Sequence, residues 1–102
     1  MQQVTHTMHN ALTITARDGH ATATSHLLIK YRQGRLFKIT AELDGIKHNV
    51  TEQHNPRANR CDNTRDIARY LYEQIHGASV DVIHIFYNKK EDGFFVIVAE
   101  RT

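Results

Sequence analysis

Residues 27–50 read LLIKYRQGRLFKITAELDGIKHNV, and this stretch decides the predicted fold. Apolar and polar side chains alternate along it, interrupted by two turn signals, Arg-Gln-Gly at 32–34 and Asp44-Gly45. Asp-Gly favours a two-residue type I′ turn, because both central residues of that turn need positive φ. A turn there pairs Leu43 with Ile46. The stretch therefore predicts three consecutive antiparallel strands.

A second Asp-Gly pair, Asp18-Gly19, precedes this stretch and extends it to a four-stranded antiparallel meander. The predicted register pairs Leu12 with Ser25 across this turn, and Leu27 with Ile39 across the loop at 32–34. With these pairings, the apolar residues at alternate positions of all four strands lie on one face of the sheet. A register shift of one residue at any turn would move part of them to the other face. The predicted core face consists of Leu12, Ile14, Ala16, Ala21, Ala23, Leu27, Ile29, Tyr31, Phe37, Ile39, Ala41, Leu43, Ile46 and Val50.

One α-helix follows a polar, aperiodic loop at 51–63. Asn63 is the predicted N-cap of the helix, because an Asn side chain accepts a hydrogen bond from the first free backbone N–H groups. Gly77 follows the last apolar residue of the helical pattern, where a C-cap glycine belongs. The predicted buried stripe consists of Ile67, Leu71 and Ile75.

The C-terminal residues 80–100 predict a β-hairpin, with strands Val80–Asn88 and 94–100 around the turn at 89–93. Neither face of this hairpin is polar. A hairpin that is apolar on both faces must be covered on both. The helix can cover one face, and the other needs another part of the chain or a second subunit. The candidate interface on that second face consists of Ile83, Ile85, Tyr87, Phe95 and Ile97.

Taken together, the 102 residues predict a single α+β domain spanning 1–102. An antiparallel β-meander of four strands is followed by one α-helix and a C-terminal β-hairpin, in the order β-β-β-β-α-β-β. We expect a sheet of about six strands with the helix packed on one face. Strand order is left open, because the connection through the helix allows the hairpin at either edge.

Composition excludes several classes of protein. The single cysteine, Cys61, rules out an intramolecular disulfide and a zinc site built from cysteines. No apolar run approaches the roughly 20 residues of a membrane-spanning helix. The first residues lack the basic start and apolar stretch of a signal peptide. We therefore expect a cytoplasmic protein that does not interact with membranes.

Catalytic and metal-binding motifs are not found. The eight histidines do not show the spacing of a zinc site, and there is no glycine-rich phosphate loop or nucleophile motif. His54 and Cys61 share the polar loop, but a lone cysteine in such a loop is commonly incidental. We predict no enzymatic activity, no catalytic residues, no cofactor and no metal.

A basic stretch runs from the polar loop onto the helix. Arg57, Arg60, Arg65 and Arg69 could bind phosphates, and Tyr72 could stack on a base. Three acidic residues interleave with these arginines, so a solvated helix face with internal ion pairs is the simpler interpretation.

These observations predict a small non-enzymatic protein-interaction module. We expect it to self-associate as a homodimer through the C-terminal hairpin and to act as an accessory or inhibitor protein, with another protein as a possible partner. The alternative is a nucleic-acid-binding accessory domain that uses the basic stretch from loop to helix.

Overall fold

The computed structural model of the chain describes residues 11–15 and 21–101, and the side chains from residue 24 onward. Within these ranges no helix is long and apolar enough to cross a membrane. A short 3-10 turn at Thr51–Gln53 follows the fourth strand. The strands and the helix are β1 Ala11–Thr15, β2 Ala21–Arg32, β3 Lys38–Leu43, β4 Ile46–Asn49, α1 Arg60–His76, β5 Val80–Asn88 and β6 Gly93–Glu100.

The strands form an antiparallel sheet whose continuous path runs β4-β3-β2-β6-β5, and β1 pairs with β2 off this path. The long strand β2 explains this arrangement. Its first residues pair with β1 and its last with β3 along one edge, while β6 occupies the other edge. The α+β class and a helix packed on an antiparallel sheet are confirmed. The continuous path has five strands rather than the predicted six, and β1 joins the sheet only through its pairing with β2.

The turn at Asp44-Gly45 is confirmed. Asp44 and Gly45 have φ values of 54° and 79°, and Leu43 pairs with Ile46 as predicted. Both values lie in the left-handed region that a type I′ turn requires. A local signal therefore fixes this hairpin.

The loop between β2 and β3 is longer than predicted. Leu27 pairs with Leu43 rather than with Ile39, and Tyr31 pairs with Ile39. The connection therefore comprises residues 33–37 instead of a three-residue turn. Because the register shift is four residues, an even number, each side chain keeps its predicted face.

The register of β1 is also different. Leu12 pairs with Thr24, one residue away from the predicted Ser25. The predicted turn at Asp18-Gly19 lies outside the described residues. The predicted register of β1 against β2 is therefore wrong, and the side chains of the predicted core residues Leu12, Ile14, Ala16, Ala21 and Ala23 lie outside the described ones.

One hydrophobic core lies between α1 and the sheet. The prediction fails at Ile46, which is 61% exposed on β4, and at Ile75 near the end of α1, which is also exposed. The helix packs over β5, β6 and β2, so it leaves the far end of β4 uncovered. The largest fully buried apolar residues are Leu27, Ile29, Ile39, Leu43, Ile67, Val80, Val96 and Val98.

The helix begins earlier than predicted, at Arg60, so the loop is shorter than 51–63. Asn59 caps it by accepting a hydrogen bond from the backbone N–H of Asp62 at 2.7 Å. The predicted cap, Asn63, is buried in the first turn, where its side chain accepts from the N–H of Asn55 at 2.7 Å and donates to the Asn55 carbonyl at 3.0 Å. Gly77 is confirmed as the C-cap, with φ 69°.

Candidate functional site

The pairing of β5 with β6 contains a β-bulge between Val82 and His84. Before the bulge Val82 pairs with Val98, and after it His84 pairs with Ile97. A bulge places one extra residue, here Ile83, in one strand and reverses the faces of the residues that follow. In the second half of β5, each side chain therefore lies on the sheet face opposite to the one that simple alternation predicts.

This bulge separates the five residues of the predicted interface. Ile85 and Tyr87 lie on the helix side of the sheet, where Ile85 packs against the core. Phe95 and Ile97 lie on the opposite side, and Ile83 is at the bulge, about half exposed. The predicted grouping on one face is therefore corrected.

The side of β2, β6 and β5 that faces away from α1 carries an apolar cluster, which we call the outer patch. Two cross-strand rows build it, because His26 and His84 flank Ile97 while Leu28 and Phe86 flank Phe95. These six residues define the outer patch: His26, Leu28, His84, Phe86, Phe95 and Ile97.

Ring contacts hold the outer patch together. Phe95 lies at its centre, with ring centroids 5.4 Å from His26 in an edge-to-face arrangement and 5.6 Å from Phe86. His84 stacks on Phe86 at 5.4 Å. Such pairs add stability beyond the area they bury. Four members of the patch were not predicted as interface residues, because no sequence signal marks the bulge or places β6 beside β2.

The outer patch contains a shallow depression of about 290 Å³, lined by His26, Phe86, Asn88, Phe95 and Ile97. Ion pairs border the patch at both ends. Arg101 Nε lies 2.7 Å from an Asp81 carboxylate oxygen at one end, and Lys30 Nζ lies 3.7 Å from Glu91 at the other. An apolar centre with a charged border is the usual anatomy of a protein-binding surface.

Strand β5 forms one edge of the sheet, and among the described residues it pairs only with β6. Its nine residues include a single charged side chain, Asp81. Three of its large apolar residues are exposed, namely Ile83 at 47%, Phe86 at 39% and Tyr87 at 51%. The Tyr87 hydroxyl donates a hydrogen bond to Asp92, which raises the pKa of Tyr87.

Tyr72, a predicted base-stacking residue, is buried. Its hydroxyl donates a hydrogen bond to Glu100 at 2.6 Å, and its ring stacks on His76 at 4.3 Å. Burial, together with the nearby Glu100 carboxylate, raises the pKa of Tyr72. This ring is therefore closed to a base, and its predicted contact with nucleic acid is corrected.

The four predicted arginines do not form one surface. Arg60 lies over the Tyr31 ring at 4.0 Å, and Arg57 is exposed in the preceding loop. Arg65 pairs with Asp62 at 2.8 Å, an interaction that raises the pKa of Arg65. At about 100° per residue, Arg65 and Arg69 fall on the other side of the helix from Arg60.

In the described part of the chain, no three His, Cys, Asp or Glu side chains come together as a metal site requires. Comparisons with known protein families, with curated proteins and with solved structures found no match to this chain.

Proposed function

We propose that this chain is a non-enzymatic protein-interaction module that forms a homodimer by antiparallel pairing of β5 with β5 of a second copy. The observation that carries the proposal is the long, apolar edge strand with Ile83, Phe86 and Tyr87 exposed. Natural sheet edges are usually short, charged or covered, because an open edge is a template for another strand. β5 has a bulge, but it is neither short nor highly charged.

Charge favours a second copy as the occupant of this edge. Asp81 lies near the start of β5, whereas Lys89 and Lys90 follow its end. Both lysines are exposed, and neither forms an ion pair within the described residues. An antiparallel pair centred near Ile85 brings Asp81, which lies 2.7 Å from Arg101 of its own chain, beside Lys89 of the other copy. The contact is therefore self-complementary, as a two-fold interface requires.

The outer patch continues this interface. Phe86 belongs both to the edge strand and to the outer patch, so pairing of two β5 edges joins the two patches into one apolar surface. A second, different protein would bind that surface in an accessory or inhibitory role. Large exposed apolar surfaces with polar borders are typical of such contacts.

Light scattering coupled to size-exclusion chromatography tests the dimer. We expect a mass of two chains for the wild type and of one chain for Phe86→Glu, because the carboxylate would be buried without a partner. Ile46→Glu is the matched control, since Ile46 is equally apolar and 61% exposed but lies on the opposite edge. It should leave the dimer intact.

A charge reversal tests the alignment of the two strands. Asp81→Lys should weaken the dimer, and adding Lys89→Asp should restore it, because the pair is then reversed in both symmetric contacts. A wild type that is monomeric at high concentration contradicts the proposal. The proposal is also contradicted if Ile46→Glu dissociates the dimer as completely as Phe86→Glu does.

A further inference from the structure

Four exposed arginines lie in the two segments that meet near the start of α1. Arg32 is the last residue of β2 and Arg35 lies in the connection to β3, while Arg57 lies in the loop before α1 and Arg60 is the first residue of α1. None of the four forms an ion pair within the described residues. We call Arg32, Arg35, Arg57 and Arg60 the basic end.

Ring contacts hold the two connections side by side. The Phe37 ring lies 4.8 Å from the His54 ring, and Tyr31 lies 6.5 Å from Phe37. Arg60 covers the Tyr31 ring at 4.0 Å, while the Tyr31 hydroxyl and the Thr64 hydroxyl share a hydrogen bond of 2.7 Å. These contacts bring the β2–β3 connection beside the segment that leads into α1, with flat side chains between the two segments.

Charge is distributed unequally along the molecule. The carboxylate nearest the start of α1, Asp62, is paired with Arg65. The opposite end carries Asp44 in the β3–β4 turn, together with Asp81 and Glu100 near the outer ends of β5 and β6. The basic end also has carboxylates near it, since exposed Glu52 lies two residues before His54 and Glu91 pairs with Lys30, but its four arginines form no ion pair in the described residues and give it a local excess of positive charge. Such a region attracts a polyanion and speeds its association.

We infer that the basic end binds single-stranded nucleic acid, with its arginines on phosphates and its flat groups against bases. Unpaired bases stack on aromatic rings and on guanidinium planes, which the Arg60 and His54 side chains offer between the other arginines. Bases in a duplex are already stacked and cannot reach such groups. This surface replaces the predicted contacts of Arg65, Arg69 and Tyr72, and it does not use the β5 edge.

Fluorescence anisotropy with labelled single-stranded DNA and RNA tests this site on the full chain. The triple variant Arg32→Ala, Arg35→Ala, Arg57→Ala removes three exposed cations and leaves the packing of Arg60 on Tyr31 intact. We expect at least about a tenfold loss of affinity at low salt, and a slope of log K against log salt that is smaller by about 2, because each phosphate contact on a single strand contributes about 0.7.

Lys47→Ala is the matched control, because Lys47 is an exposed cation on β4 without an ion pair in the described residues. Its affinity should equal that of the wild type. The same loss in Lys47→Ala as in the triple variant overturns the proposal, as does equal affinity for duplex and single strand. Binding to vesicles of anionic lipid without binding to oligonucleotides also overturns it. A Phe86→Glu variant that still binds shows that the site does not depend on the dimer.

Discussion

The two faces of the sheet are both apolar where β2, β6 and β5 meet, yet only one of them is closed. On the helix side Leu27 and Val96 are fully buried, whereas on the outer side Leu28 and Phe95 are half-buried. Leu27 and Leu28 are neighbours of the same residue type, so local preference cannot distinguish them. What distinguishes them is the placement of α1. An alternating strand pattern reports which residues share a face, and packing decides which face becomes the core.

The largest expected effect compares these two leucines directly. Leu27→Ala should lower the free energy of unfolding by about 3 kcal/mol, because it leaves a cavity under the helix. Leu28→Ala should cost about 1 kcal/mol, because its side chain is only half removed from water. Urea unfolding at a fixed protein concentration measures both. Equal losses would show that the outer face is buried as deeply as the core.

Gly93→Ala examines how tightly the outer face is packed at the start of β6. A Cβ at this position would lie 2.8 Å from Lys30 Cγ, 3.0 Å from Leu28 Cδ1 and 3.1 Å from the Ile29 carbonyl oxygen. The backbone oxygen cannot move aside, so we expect a loss of about 2 kcal/mol from overpacking. Adding Leu28→Ala should recover part of this loss in the same unfolding measurement. No change on Gly93→Ala would contradict the close approach.

Tyr72→Phe examines a polar contact on the helix side. Removing the hydrogen bond to Glu100 should cost about 1 kcal/mol at neutral pH. The pKa of Tyr72 is raised in the folded protein, so folding favours the protonated hydroxyl. The contribution of Tyr72 to the free energy of unfolding is therefore complete below about pH 10, the pKa of an unfolded tyrosine, and is lost as the pH rises above that value. The wild type should therefore lose stability in alkaline solution more steeply than the variant. Identical alkaline profiles would contradict this assignment.

The smallest effect is expected at the border of the outer patch. Glu91→Gln removes the exposed pair with Lys30 and should change stability by less than about 0.5 kcal/mol, since solvent screens such pairs. Thermal unfolding of the variant beside the wild type measures it. A decrease in the free energy of unfolding above about 1 kcal/mol would mean that the Lys30–Glu91 pair is buried. The self-association surface would then include the turn between β5 and β6.

The candidate site was predictable only in part. The two-faced character of the hairpin follows from its sequence, and Phe95 and Ile97 lie on the outer face. Ile85 and Tyr87 were assigned to the wrong face, because alternation carries no information about a bulge. The basic region was similarly half-predicted. Arg57 and Arg60 were among the predicted contacts, whereas the segment of Arg32 and Arg35 comes beside theirs only through the tertiary contact of Phe37 with His54.

The sequence by itself determined the local features of this protein. The turn at Asp44-Gly45, the C-cap at Gly77 and the bounds of β5 depend on backbone preferences of a few neighbouring residues. Tertiary structure alone decided that β6 lies beside β2, that the β2–β3 register is shifted by four residues, and that α1 closes one face and leaves the other open. Backbone hydrogen bonds between strands are the same for any sequence, and an even shift preserves every face, so only the packing of the whole core selects among these arrangements.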